Sequence, residues 1–197
     1  MSRGPGRQHD ASKRALAQAA CEVIATDSIQ ALTVRRVAAA ANASVGRVQH
    51  YFADRSEIVH EAFLVTQQDA ASEVEASLRG STSPIDIVRA VLSAMIPVNG
   101  TQMRRMRIMA QFEALALSDE EFASTLREGH LRLRQLLADA LSAASPESAR
   151  VAADDAQRLL ALAEGLAGEV LLGQEASERA LRLVQDAVDE ITDRRAT

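Results

Sequence analysis

The chain is expected to be all-α, with an N-terminal three-helix helix-turn-helix domain followed by a larger helical body, about nine helices in total. Three observations predict this. Ala and Leu dominate: 47% of the 197 residues are hydrophobic, only 3% are aromatic, and Trp is absent, a composition that favours helix nearly throughout. Proline is confined to positions 5, 84, 97 and 146, so helix breakers are few and widely spaced. Between them, apolar residues recur at helical spacing behind recognisable capping residues, and no convincing strand pattern appears.

The elements follow in order. Met1 to His9 is an Arg/Gly/Pro-containing stretch expected as a flexible arm, suited to a phosphate backbone or a minor groove. A first helix is predicted over residues 10–26, then a turn over 27–32. Thr33 suits an N-cap, its hydroxyl bonding an orphan amide. Behind it Val34, Val37, Ala38 and Ala41 can face inward while Arg35, Arg36 and Ala39 face out. Asn42 is placed to take the left-handed conformation that stops this helix, and Ser44 to cap the next. That second short helix buries Val48 and Phe52 and offers Val45, Arg47, Gln49, His50 and Tyr51 outward or sideways. Gly46 is a side-chain-free point where a neighbour or a duplex can approach. Such a face suits a major groove.

Asp54 is expected to cap a long helix reaching about Leu78, which the run Gly80-Ser81-Thr82-Ser83-Pro84 ends. Helices are predicted over 85–96 and 101–117. Ser118 to Glu121 reads as a capping box for a helix to about Ala143. Ser145-Pro146-Glu147 separates it from helices over 148–172 and 175–191, with Gly173 between them.

The run from Asp10 to Val59 resembles the DNA-binding domain of the tetracycline-repressor (TetR) family. The residues that carry the likeness are Thr33, Val37, Ala38 and Ala41, then Ser44, Gly46, Val48, Tyr51 and Phe52, then Asp54-Arg55-Ser56-Glu57-Ile58-Val59. Asn42 stands where the family usually has Gly, Gln49 where it often has Tyr, and Arg55 where it commonly has Lys. The resemblance implies a transcriptional regulator, most simply a homodimeric repressor on a palindromic double-stranded operator, released by a small-molecule effector. It places Thr33, Arg35, Ser44, Val45, Gly46, Arg47, Gln49, His50, Tyr51 and Arg55 at the DNA, with Thr33, Tyr51 and Arg55 on phosphates and Val45, Arg47, Gln49 and His50 at base edges. Domain limits follow as 1–9 for the arm, 10–53 for the DNA-binding domain and 54–197 for a ligand-binding and dimerisation domain.

Charge agrees. The net value is −5, yet residues 1–55 hold eight basic and four acidic side chains, leaving +4 there and −9 in the remainder. A basic end on an acidic body orients encounter with a polyanion. Cys21 is the single cysteine and excludes an intrachain disulfide. His9, His50, His60 and His130 show no ligand spacing with each other or with Cys21, so neither a metal nor another cofactor is expected. No run of about 18 apolar residues suggests a membrane span, and the polar N-terminus lacks a signal-peptide core, so a cytoplasmic protein is expected.

Two further regions are candidate sites. Met95, Met103, Met106 and Met109 cluster with Ile108, Phe112 and Leu115, and methionine adapts to apolar ligands. Polar residues interrupt that neighbourhood, which makes Met103, Arg107, Met109, Gln111, Glu113 and His130 candidate effector contacts. The last two helices carry stripes of Ala152, Ala156, Leu159, Ala163, Leu166 and Val170, then Leu181, Val184 and Val188. The resemblance implies that these pack against their copies, holding two reading helices about 34 Å apart; the alternative is that they form intrachain core.

An enzyme would need a catalytic constellation, and the sequence offers no metal spacing, no Gly-rich phosphate loop and no nucleophile with an evident base. A helical interaction module that has lost DNA binding remains the alternative, favoured by Gln49 and the net acidity.

Overall fold

Nine helices follow one another in the computed structural model, which describes residues 5–144 and 149–196: α1 (Pro5–Thr26), α2 (Val34–Ala40), α3 (Val45–Tyr51), α4 (Arg55–Leu78), α5 (Pro84–Met95), α6 (Gly100–Ala116), α7 (Glu120–Ala144), α8 (Ala149–Leu171) and α9 (Ser177–Ala196). No strand occurs among the described residues. Residues 1–4 of the expected arm and the Ser145-Pro146-Glu147 separator lie outside the described residues.

The caps explain most of the boundaries. Thr33 accepts from the Arg36 amide at 3.2 Å and Ser44 from the Arg47 amide at 3.1 Å. Asp54 accepts from the Glu57 amide at 2.9 Å, and Glu57 reaches back to accept from the Ala53 amide at 2.8 Å, so α4 starts on a reciprocal pair. Asn42 has φ 49°, and the Ala43 and Asn42 amides return to the Ala38 and Ala39 carbonyls at 2.8 and 3.1 Å. Gly173, φ 70°, ends α8 the same way, with the Gln174 amide on the Glu169 carbonyl at 2.8 Å. Both are left-handed terminations that satisfy carbonyls a helix end would otherwise orphan.

Two expectations are corrected. Residues 5–9 belong to α1 rather than to a flexible arm; a proline costs nothing in the first turn, where its missing N–H would have no intrahelical partner. The box expected from Ser118 does not form. Asp119 is the cap, accepting from the Phe122 amide at 3.0 Å, while the Ser118 hydroxyl donates back to the Leu115 carbonyl at 3.2 Å.

The chain divides into two compact units. The first comprises residues up to Asp69 with Arg107–Phe122, a division different from the limit expected after Ala53 because the opening half of α4 belongs with the three N-terminal helices. In it α1 packs on α2 and α2 on α3. Its interior includes Leu16, Ile24, Ile29, Leu32, Val48, Phe52 and Ile58, all 3% exposed or less. Phe63 meets Phe112 and Phe122 edge to face, and Phe112 and Phe122 are tilted to each other, with ring centroids 5.4–5.6 Å apart. Cys21 is buried, its Sγ 3.4 Å from the Ala62 carbonyl oxygen.

The second unit comprises Ala70–Met106 and Ala123–Thr197. Here α5, α8 and α9 pack pairwise around Val88, Leu92, Ile96, Leu137, Leu141, Leu159 and Leu160, with Met95, Met103 and Met106 against their edge. Burial of each large aliphatic side chain contributes about 1.5–3 kcal/mol. One buried charge interrupts this interior: Asp155, fully buried, accepts from Arg158 and Arg194.

Candidate nucleic-acid interface

The helix α3 is held from beneath and left bare above. Val48 and Phe52 are 0% and 1% exposed and root it in the first unit, while Val45, Arg47, Gln49 and His50 are exposed. These four project from a helix whose two ends are fixed, by Ser44 at the start and by the Phe52 amide on the Val48 carbonyl at 3.0 Å at the end. Gly46 lies among them with ordinary helical φ, and a Cβ built there would meet nothing within 4 Å. The fold therefore does not require glycine at this point.

Around α3 the structure adds groups that the sequence reading placed elsewhere. Tyr51 is half-buried between two imidazoles: its ring centroid lies 4.6 Å from that of His9 and 5.1 Å from that of His50. Ser12 of α1 lies 3.4 Å from an Arg47 guanidinium nitrogen. His9 lies outside a first helix that begins at Asp10, and Ser12 lies within it, so neither is placed beside the reading helix by the sequence. The signal was their position on the face of α1 that continues to Leu16.

Thr33 and Ser44 are spent as caps with their side chains exposed, and Arg35 is exposed on α2. Arg36 pairs with Asp27 at 2.7 Å. The Arg55 guanidinium donates to the Leu32 carbonyl at 3.1 Å and to the Ile29 carbonyl at 2.6 Å, so two of its donors hold the turn between α1 and α2 while the side chain keeps an exposed surface. Lys13 pairs with Glu57 and Glu61 and lies over the Phe52 ring at 5.6 Å. The hydrogen bond from Lys13 to Glu61 raises the ammonium pKa above its ordinary 10.5, against the opposing effect of burial and with further help from Glu57.

The six candidate effector contacts are divided between the two units. Arg107, Met109, Gln111 and Glu113 belong to the first unit, Met103 and His130 to the second. Arg107 and Glu113 are exposed. Gln111 accepts from the Ile29 amide at 3.3 Å. Met103 packs at the edge of the second unit's core, and His130, 44% exposed, lies 3.3 Å from Glu164 on α8. Helical periodicity could not separate these outcomes, since α6 contributes residues to both units.

The second unit instead carries two open grooves, of about 560 Å³ and about 400 Å³. Glu73 lines both. Burial alone would raise its carboxyl pKa, but hydrogen bonds from Arg105 and Gln102 and the Arg105 charge outweigh it and hold the group below its ordinary 4.5.

The nine residues expected between copies also pack within the chain. Ala152, Ala156, Leu159, Ala163, Leu166, Val170, Val184 and Val188 are buried, each 7% exposed or less, and Leu181, half-buried, packs against the same core. The apolar residues left exposed on or beside these helices are different: Val151 and Leu162 on α8, Leu183 on α9 and Leu172 just past α8, at 38%, 36%, 37% and 71%. No group of three or more His, Cys, Asp and Glu suited to a metal ion occurs among the described residues, and no described helix is long and apolar enough to cross a membrane.

A short helix anchored on its apolar side, capped at a tight turn and bearing exposed hydrogen-bonding residues defines the helix-turn-helix class of DNA-binding proteins. Residues 12–62 match the bacterial regulatory proteins of the tetR family, and residues 84–193 match the C-terminal region of BetI-type transcriptional repressors. The chain belongs to the TetR family of transcriptional regulators, whose members are not enzymes. It is 25% identical over 170 residues to the HTH-type transcriptional regulator PksA of Bacillus subtilis (strain 168), covering 83% of this chain and 80% of that one. Its fold is that of a TetR-family regulator from Rhodococcus sp., with a TM-score of 0.82 and 24% identity over 93% of this chain and 99% of the other. A regulator from Saccharomonospora viridis, solved in complex with choline, superposes with a TM-score of 0.77 at 16% identity, covering 91% and 96%.

Proposed function

We propose that this regulator is a cytoplasmic homodimeric repressor that holds a palindromic operator with two copies of α3 and releases it when a small-molecule effector binds. One observation carries the DNA reading: α3 exposes Val45, Arg47, Gln49 and His50 around a glycine that nothing in the fold requires. A bare backbone at Gly46 is useful to a partner that must come close, as a duplex does. Arg47, Gln49 and His50 supply donors and acceptors for base edges, and Arg35 and Tyr51 donors for phosphates.

Dimerisation is required to engage two half-sites one helical turn apart. Support for it lies in the outward apolar residues Leu162, Leu172 and Leu183 of the second unit, and the repressor reading is supported by the BetI-type match. The effector site is proposed for the groove of about 400 Å³ where Glu73, Ser81, Asp86 and Gln102 offer polar groups. The choline of the Saccharomonospora relative is not carried over. All five Phe and Tyr residues lie in the first unit, and the second therefore has no Phe, Tyr or Trp face with which to cage a quaternary ammonium.

The test is fluorescence anisotropy of the full chain on palindromic segments from its own upstream DNA, from about 50 to 200 mM salt. The repressor reading expects tight binding that falls about a thousandfold or more across that range. Absence of binding at the lowest salt would overturn it in favour of a helical interaction module.

A further inference from the structure

The seven-residue link from Asp27 to Thr33 sets the direction in which α2 and α3 leave α1, and its middle is held by side chains distant in sequence. Ile29 and Leu32 are fully buried. Buried backbone groups must find partners, and a link this short cannot supply them all. It supplies some: the Ala31 amide donates to the Ser28 hydroxyl at 3.2 Å, and the Leu32 amide to the Ile29 carbonyl at 3.3 Å. The others come from outside. Arg55 of α4 donates to the carbonyls of Ile29 and Leu32, and the amide of Ile29 donates to the side-chain oxygen of Gln111 on α6, 82 positions away in the chain. Ile29 is thus gripped at its N–H by one helix and at its C=O by another. The next capping residue, Thr33, starts α2 immediately afterwards.

We propose that Gln111 is a positioning residue for operator reading: its side-chain oxygen, with Arg55, locks the Ile29–Leu32 turn and so sets the angle at which α3 meets the bases. The inference rests on the DNA reading above and extends it to a residue that touches no DNA. Hydrogen bonds to base edges tolerate only a few tenths of an ångström, whereas attraction to phosphates tolerates displacement. Loosening the turn therefore weakens specific binding while leaving non-specific binding intact.

Gln111→Met keeps the side-chain length and removes the acceptor; Gln111→Glu keeps an acceptor. In the full chain, Gln111→Met is expected to weaken operator binding about tenfold, with affinity for random duplex and active fraction unchanged, and Gln111→Glu to restore most of the loss. Amide hydrogen exchange of the DNA-free protein supplies the second measurement: exchange over residues 29–33 accelerates in Gln111→Met and returns toward wild type in Gln111→Glu. Unchanged operator affinity in Gln111→Met would overturn the inference, as would equal losses in both variants, parallel losses on operator and random duplex, or unchanged exchange at the turn. A wild-type chain that does not distinguish operator from random duplex defeats the DNA reading instead, and the exchange result then decides whether Gln111 holds the turn.

Discussion

Arg194 of α9 meets both carboxylate oxygens of Asp155 on α8, at 2.8 and 2.9 Å, although Asp155 has no exposed surface and Arg194 is 54% exposed. Arg158 adds a third contact at 3.1 Å from the solvent side. A carboxylate without exposed surface has lost its hydration, so the guanidinium that reaches it matters more than a surface pair would. Arg194→Ala is expected to cost about 3 kcal/mol, the low end for breaking a buried pair because Arg158 remains. Arg158→Ala should cost less, because Arg158 makes one contact with the buried carboxylate where Arg194 makes two. Urea unfolding at neutral pH, read as the shift in midpoint at constant slope, separates the two; equal effects would contradict the assignment.

Gly46 offers a test in which stability and function move oppositely. The space around it is open, so Gly46→Ala should leave the free protein unchanged or more stable by up to about 1 kcal/mol. Against a duplex the new methyl group occupies the closest approach. Operator affinity is expected to fall at least tenfold while the melting temperature holds or rises, measured by anisotropy and calorimetry on one preparation.

Substitutions on opposite sides of α8 should separate assembly from folding. Leu162, 36% exposed, faces outward, and Leu162→Arg is expected to yield a folded monomer in sedimentation velocity at micromolar concentration. Leu159 is 1% exposed, and Leu159→Ala should cost about 2–5 kcal/mol of stability through lost burial and a cavity. A dimer that survives Leu162→Arg would remove this face from the interface.

The Glu73 carboxyl is held below its ordinary 4.5 by Arg105 and Gln102 despite the opposing effect of burial. A depressed carboxylate adds stability that is present above its unfolded value and lost as pH falls through its folded one. Wild type should therefore exceed Glu73→Gln in stability at neutral pH, and the gap should close below about pH 4.5. Urea midpoints across that range provide the check, and a gap that widens on acidification would reverse the sign.

Sequence alone determined what depends on residues within about one helical turn. The Thr33 and Ser44 caps, the left-handed stop at Asn42 and the inward Val48 and Phe52 were all legible, because a cap or a periodic face is decided by neighbours three or four positions away. Tertiary structure decided what those faces meet. A stripe such as Ala152, Ala156, Leu159 and Ala163 looks the same whether it packs on its own chain or on a copy, and only the burial of these residues within one chain distinguishes the two. Arg55 and Gln111 read as groups for phosphate and effector because their type admits those partners, yet both turn to the backbone at Ile29, which neither could be known to approach from 26 and 82 positions away. A hydrogen-bond donor or acceptor advertises its chemistry in the sequence, whereas its partner is fixed only when distant segments are brought within about 3 Å.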